Sequence, residues 1–294
     1  MNWLFPPFEP DEEASARRPG FRRIPTRALI PNLITLLALC MGLTAIRMAI
    51  EARFEWAVAA IIIAAVLDSL DGRIARLLKS TSRFGAELDS LADFVNFGVA
   101  PAVLLYNWSL VDLRSAGWIG VLIFSLCCAL RLARFNVTLD RPRPAWTTGF
   151  FVGMPAPAGA ITLLLPVYVS YLGIAELRSL SPLILVYCAA IAFLMVSRVP
   201  TFSGKTMSAR VPRDMVLPLF VVVVLFFAFL LSFPWLTLVT GTVMYLGSIP
   251  VSLWRYRKLA TAAEAKVRRT DEPVGAAAIL PHDASDEERP AKLH

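Results

Sequence analysis

Residues 67–94 read LDSLDGRIARLLKSTSRFGAELDSLADF, a stretch between two long apolar runs that holds four aspartates in two pairs, Asp68 with Asp71 and Asp89 with Asp93. The i,i+3 and i,i+4 spacings put each pair of carboxylates along one face of a helix. Two antiparallel neighbouring helices can then point both pairs into a single cavity. The surroundings make this unusual. Of the 294 residues 57% are hydrophobic and only 17% charged, with a mean hydropathy of +0.62, outside the balance of a soluble domain.

A membrane-crossing helix needs about 20 predominantly apolar residues. Such runs are predicted at 29–50, 56–78, 85–107, 116–135, 149–172, 181–198, 214–232 and 234–253. Only Ser232, Phe233 and Pro234 separate the last two, which also permits a single re-entrant segment. The fold class is therefore all-α integral membrane, a polytopic bundle of about eight transmembrane helices over residues 29–253. Residues 1–28 form a cytoplasmic N-terminal segment whose RRPGFRRIPTR portion suits the membrane interface. Residues 254–294 form a cytoplasmic tail that begins as a helical extension of the last span and ends disordered.

Charge gives an independent check. Twenty-five of the 29 Lys and Arg fall on alternate connections, leaving Arg47, Arg53, Arg114 and Arg178 for the other side. By the positive-inside rule both termini are cytoplasmic. The net charge of +7 follows from this topology and from attraction to anionic lipid, so it gives no argument for nucleic acid as a partner. The opening MNWLFPPFEPDEEASARRPG is acidic and proline-containing and does not read as a cleavable signal peptide. Cys40, Cys127, Cys128 and Cys188 lie inside apolar runs without CxxC spacing and read as packing residues. Both histidines, His282 and His294, are in the tail, which leaves acid–base chemistry in the membrane body to other groups.

Unpaired carboxylates in a membrane are expensive, so intramembrane acids point to function. Four in one cavity repel unless cations neutralise them. Oxygen-only ligands suit Mg²⁺, Mn²⁺ or Ca²⁺ rather than zinc, and four carboxylates can hold two ions. Such ions commonly grip a phosphate or diphosphate and offset charge on a leaving group. Arg73, Arg76, Lys79 and Arg83 fit an anionic substrate, and fit the positive-inside rule equally well. Glu87 lies on a different helical face from Asp89 and is expected to meet water.

Asp68-x-x-Asp71-Gly72-x-x-Ala75-Arg76, eight residues, then Gly85-x-x-x-Asp89-x-x-x-Asp93 resembles the signature of the CDP-alcohol phosphatidyltransferases, membrane enzymes that move a phosphatidyl group from a CDP-linked lipid to an alcohol. The resemblance implies that Asp68, Asp71 and Asp89 bind metal. It also implies that Asp93 completes the cluster and acts as the catalytic base on the attacking hydroxyl. Gly72, Ala75, Arg76, Ser82 and Gly85 would line the CDP site, and Asn32 and Thr35 of Pro31-Asn32-x-x-Thr35 would meet the diphosphate. Residue by residue, close helix packing accounts for Gly72, Ala75 and Gly85 as well. A helix-start cap accounts for Asn32, and an arginine snorkelling to lipid phosphate for Arg76.

The stretches at 89–102, 131–136 and 151–160 resemble the phosphatidylserine synthase branch of that family. This implies CDP-diacylglycerol as donor, L-serine as acceptor, CMP as leaving group and Mg²⁺ or Mn²⁺, two ions, as cofactor. A homodimer in the cytoplasmic (inner) membrane, with the active site facing the cytoplasm, is implied as well. Arg131 and Arg134, one turn apart, can hold a carboxylate, and Asn96 and Asn136 an amine or carboxylate. Glycerol 3-phosphate, an inositol phosphate or choline are alternative acceptors. A cation transporter and a non-catalytic lipid-binding protein are alternatives of another class. Met154-Pro155-x-Pro157 is expected to shape the start of the fifth span, and Gly98 and Pro101 to soften the third.

Overall fold

The computed structural model describes residues 26–80, 82–138, 149–202 and 213–271. The interfacial segment expected before residue 26, the end of the tail and both histidines lie outside the described residues. Helix α1 (Thr26–Ile50) and helix α2 (Phe54–Leu77) form the most extensive pairing in the fold. Their buried positions are mostly small, Ala38, Ala45 and Ala49 on α1 and Ala57, Ala60 and Ala64 on α2. In a bilayer such residues let two backbones approach closely, which replaces the missing hydrophobic drive with dispersion contact.

Helix α3 (Arg83–Asp93) runs through a π-helical segment, Phe94–Val99, into α4 (Ala100–Trp108) as one rod. Pro101 has no N–H to give to the turn behind it, and the Ala100 N–H reaches back five residues to the Val95 carbonyl. The softening expected at Gly98 and Pro101 thus takes the form of a π-bulge. Ser125 on α5 (Ser115–Thr138) donates to the Gly98 carbonyl at 3.1 Å, fastening the bulge to its neighbour.

The fifth apolar run does not begin as a helix at 149. Residues 150–152 form strand β1 (Phe150–Val152), antiparallel to β2 (Pro200–Phe202), with Phe150 opposite Phe202 and Val152 opposite Pro200. Gly153 turns the chain at φ +79° and gives its N–H to the Val199 carbonyl at 2.9 Å. Pro155 then restrains Met154 away from the helical region. The helix starts only at α6 (Ala156–Leu163) and restarts as α7 (Leu165–Tyr171), with Pro166 at the restart. Met154-Pro155-x-Pro157 therefore does shape this start, from the far side of a turn.

Helices α8 (Ser181–Val196), α9 (Arg213–Ser232) and α10 (Pro234–Asp271) complete the chain, and α10 includes the expected extension beyond residue 253. Among the described residues, five helical stretches are long and apolar enough to cross a membrane: Leu29–Ile50, Arg83–Trp108, Ser115–Thr138, Met215–Ser232 and Pro234–Thr261. Helix α8 is apolar but has 16 residues, about 24 Å against a hydrocarbon core of about 30 Å. Helix α2 has 24 residues, but its last turns carry Asp68, Asp71, Arg73 and Arg76. Apolar side chains such as Leu217, Phe220 and Leu231 on α9 are widely exposed, as lipid-facing surfaces are. At the end away from the aspartates, Arg178 donates to the Trp108 carbonyl at 2.8 Å and lies 5.7 Å from the Phe54 ring, so its charge is held in place there.

Candidate active site

The site grows from the turn between α2 and α3. Lys79 takes φ +50° and the Ser80 N–H closes on the Ala75 carbonyl at 3.0 Å, which ends α2. Ser82 is extended, and its Oγ accepts the Gly85 N–H at 3.0 Å, capping α3. A β-carbon on Gly85 would stand 2.9 Å from Asn32 Oδ1 and 3.2 Å from Ser82 Oγ. Asn32, Ser82 and Gly85 are thus one packed cluster where α1 meets the cap of α3. Gly72 is exposed, and a β-carbon there would meet nothing within 4 Å, so that face of α2 is open. Ala75 is half-buried and Arg76 exposed beside it; Glu87 is exposed, as expected.

Three carboxylates converge. One oxygen each from Asp68, Asp71 and Asp89 lies within 4.8 Å of the others. At an effective dielectric of about 20, unit charges at that separation repel by about 3–4 kcal/mol per pair. A cation relieves this, and a donor set of carboxylate oxygens suits a hard divalent ion. Thr35 completes the arrangement: its hydroxyl lies 2.6 Å from Asp71 Oδ2, with both residues buried, and 3.1 Å from the Pro31 carbonyl. Its observed partner is a carboxylate of the cluster, which fixes the angle at which Asp71 presents its other oxygen. Thr35→Val should loosen Mn²⁺ binding about 10- to 100-fold, as loss of an outer partner of a metal ligand does. Isothermal titration of the purified protein measures it, and an unchanged affinity would remove Thr35 from this role.

Asp93 is one helical turn further along α3 and outside the trio, with its Oδ1 buried and without a hydrogen-bond partner. Another turn on, Asn96 is fully buried within the π-bulge and neither of its amide atoms has a partner. It presses on α1, where a β-carbon on Gly42 would fall 2.0 Å from Asn96 Oδ1 and 3.2 Å from its Cα. Gly42→Ala is expected to lower stability by about 1–3 kcal/mol through overpacking. A drop in the thermal midpoint in detergent reports it.

The four residues expected at the acceptor divide into two groups. Arg134 donates to the Val196 carbonyl at 2.7 Å and the Ser197 carbonyl at 3.3 Å, capping the end of α8. Asn136 donates to Ser90 Oγ at 2.9 Å and ties α5 to α3. Arg131 instead interacts with the Asp93 charge and lies 5.7 Å from the Phe135 ring. Arg131 and Asn96 therefore stay beside Asp93, while Arg134 and Asn136 are engaged in packing. A cavity of about 600 Å³ opens on the other side of α2, between α6, α9 and α10, with Ser69, Arg73, Thr242 and Tyr245 among its otherwise mainly apolar lining. Thr242 and Tyr245 were not singled out from the sequence, where they are two moderately polar residues in an apolar run.

These features define a class: a helical membrane protein with three carboxylates gathered at the open end of α2, a donor set that suits a hard divalent cation. Residues 28–196 match the family model for CDP-alcohol phosphatidyltransferase, and residues 214–250 match CDP-alcohol phosphatidyltransferase 2. The chain belongs to the CDP-alcohol phosphatidyltransferase family, whose members depend in general on divalent cations. It is 40% identical over 249 residues to a protein of Mycobacterium leprae named CDP-diacylglycerol–serine O-phosphatidyltransferase, covering 84% of this chain and 82% of the relative. A Mycobacterium tuberculosis protein of the same name is 49% identical over 148 residues, 50% of this chain and 51% of that one. One from Bacillus subtilis is 38% identical over 136 residues, 46% and 73% respectively.

Proposed function

We propose that the protein transfers the phosphatidyl group of CDP-diacylglycerol to the hydroxyl of L-serine, giving phosphatidylserine and CMP in phospholipid synthesis. The observation that carries this reading is the convergence of Asp68, Asp71 and Asp89 within 4.8 Å beside the open face at Gly72, in a chain similar to enzymes named for that reaction. Asp68, Asp71, Asp89 and Asp93 would hold Mg²⁺ or Mn²⁺, two ions, which when bound supply charge stabilisation to the diphosphate and the departing CMP. Gly72 and Ala75 leave room for the cytidine against α2, with Arg76 at its edge, while Asn32, Ser82 and Gly85 shape the opposite wall and Thr35 steadies Asp71. Asp93 takes the proton from the serine hydroxyl, which attacks the lipid-linked phosphorus. Arg131 and Asn96 stand beside that carboxylate, where the acceptor must lie. The cavity of about 600 Å³ suits an acyl chain of the donor.

In this reading the catalytic domain is 29–253, and α2, the α6–α7 pair and α8 complete eight spans with both termini on the cytoplasmic side of the inner membrane, where the site opens. The assembly inferred from the family is a homodimer. The test is CMP release by the purified protein from CDP-diacylglycerol with Mg²⁺ or Mn²⁺, offering serine, glycerol 3-phosphate, inositol phosphate and choline separately. Serine-dependent CMP with phosphatidylserine as product is expected. Release with a different alcohol would keep the donor chemistry and discard serine; CDP binding without release would leave a non-catalytic lipid-binding protein.

A further inference from the structure

The cavity between α2, α6, α9 and α10 has a volume of about 600 Å³ and a mainly apolar lining. Two of its hydroxyls are spent locally: Ser69 donates to the Ala65 carbonyl at 2.8 Å and Thr237 to the Phe233 carbonyl at 2.9 Å. A methylene group takes up about as much room as a water molecule does in the liquid, about 30 Å³, so the space admits on the order of twenty of them. That is one long acyl chain. A diacyl lipid seated here must leave its second chain in the bilayer, which is close at hand: Phe226, Phe227 and Leu230 form one wall, and most of α9 around them is exposed apolar surface.

The cavity adjoins the carboxylates around the axis of α2. With 3.6 residues per turn, Gly72, Arg76, Ser69 and Arg73 lie about 40°, 80°, 100° and 140° round the helix from Asp68, and Asp71 lies to the other side of it. Gly72 and Arg76 are exposed, and Ser69 and Arg73 already line the cavity. The open face at Gly72 therefore leads from the aspartates to the cavity edge without crossing the helix. A lipid whose diphosphate meets the carboxylates can lay a chain along α2 from Arg73 toward Ile62, a lining of roughly 16 Å.

Gly241 stands in the α10 wall of this space. A glycine inside a helix weakens it relative to alanine, and elsewhere in the fold packing accounts for that cost. A β-carbon on Gly42 would run into Asn96, and one on Gly117 into the Leu110 carbonyl. At Gly241 a β-carbon would meet nothing within 4 Å. What a side chain there would take is room in the cavity. We propose that the cavity holds one acyl chain of the CDP-diacylglycerol donor and that Gly241 is a specificity-determining residue, keeping the space open for a long chain. This rests on the reading of CDP-diacylglycerol as donor and adds a chain-length preference to it. Chains in a bilayer are already out of water, so the cavity selects by exclusion: a chain too large for it overpacks the walls.

The test is Gly241→Leu and Gly241→Phe in the full-length protein in detergent. CMP release is measured from dioctanoyl and dipalmitoyl CDP-diacylglycerol, with serine, glycerol 3-phosphate, inositol phosphate and choline all supplied. In Gly241→Phe the kcat/KM for the dipalmitoyl donor relative to the dioctanoyl donor is expected to fall about tenfold or more. Gly241→Leu should show a smaller fall, and inhibition by free CDP, which has no chain, should be unchanged in both. Because position 241 faces open space, the thermal midpoint without ligand should hold or rise; a clear drop would mean that the position was packed, and would overturn the assignment. The two mixed palmitoyl and octanoyl donors count the chains. With a single chain in the cavity, Gly241→Phe uses at least one of them as well as the dioctanoyl donor, whereas two mixed donors as poor as the dipalmitoyl one would overturn single-chain occupancy. An active wild type, with variants that keep its chain-length profile, would overturn the place given to the cavity and leave the donor standing. A wild-type protein that releases no CMP from either donor would overturn the donor itself, and with it the chain assigned to the cavity.

Discussion

Asp93→Asn is expected to lower turnover by at least about 10³-fold while leaving the affinity for CDP-diacylglycerol within a few fold. The asparagine keeps the size of the side chain and removes its ability to take a proton. The buried described part of the site offers no histidine in its place, since both histidines of the chain are in the tail. Asp93 lies outside the trio of clustered carboxylates, so the substitution leaves the principal cation ligands intact. Single-turnover CMP release measures the chemical step, and binding of a non-hydrolysable CDP-lipid measures the rest. Full activity in the variant would remove Asp93 as the base; loss of lipid binding along with turnover would make it a metal ligand first.

Asp71→Asn should act differently, abolishing turnover and donor binding together. Asp71 is the most enclosed member of the trio, 4% exposed and held by Thr35. An amide there subtracts one of three negative charges and places a hydrogen-bond donor or a weaker ligand where a carboxylate oxygen stood. Mn²⁺ affinity is expected to fall by more than about 100-fold, exceeding the effect of losing an outer-shell partner such as Thr35. Stabilisation of the protein by CDP plus Mn²⁺ in a thermal scan should vanish, while the scan without ligands stays near or above the wild-type value because carboxylate repulsion is relieved. A variant that retains metal-dependent CDP stabilisation would take Asp71 out of the metal site.

What could be read in advance follows from periodicity. The aspartates sit at helical spacing on two segments joined by a short connection, so Asp68, Asp71 and Asp89 come together once both are helices packed side by side. Long, uniformly apolar runs likewise announce α1, α5 and α9. Short apolar segments do not. Phe150–Val152 and Pro200–Phe202 look like the ends of spans because a three-residue strand and a helical turn have the same composition, and their pairing depends on partners 50 residues apart. Arg134 reads as a ligand for an anion by its type and place, and only the three-dimensional arrangement shows it covering the carbonyls at the end of α8.

The π-bulge at Phe94–Val99 behaves as a stored insertion. A helix that accommodates one additional residue carries everything beyond it through about 100° relative to an uninterrupted α-helix. Deleting one residue between 94 and 99 would restore the regular ladder and swing Leu104, Leu105 and Trp108, all buried, off the faces they now occupy. The aspartate half of the rod and its packing half are therefore indexed to each other by six residues. Length variation among relatives should be strongly suppressed there and free to accumulate in the connections on either side.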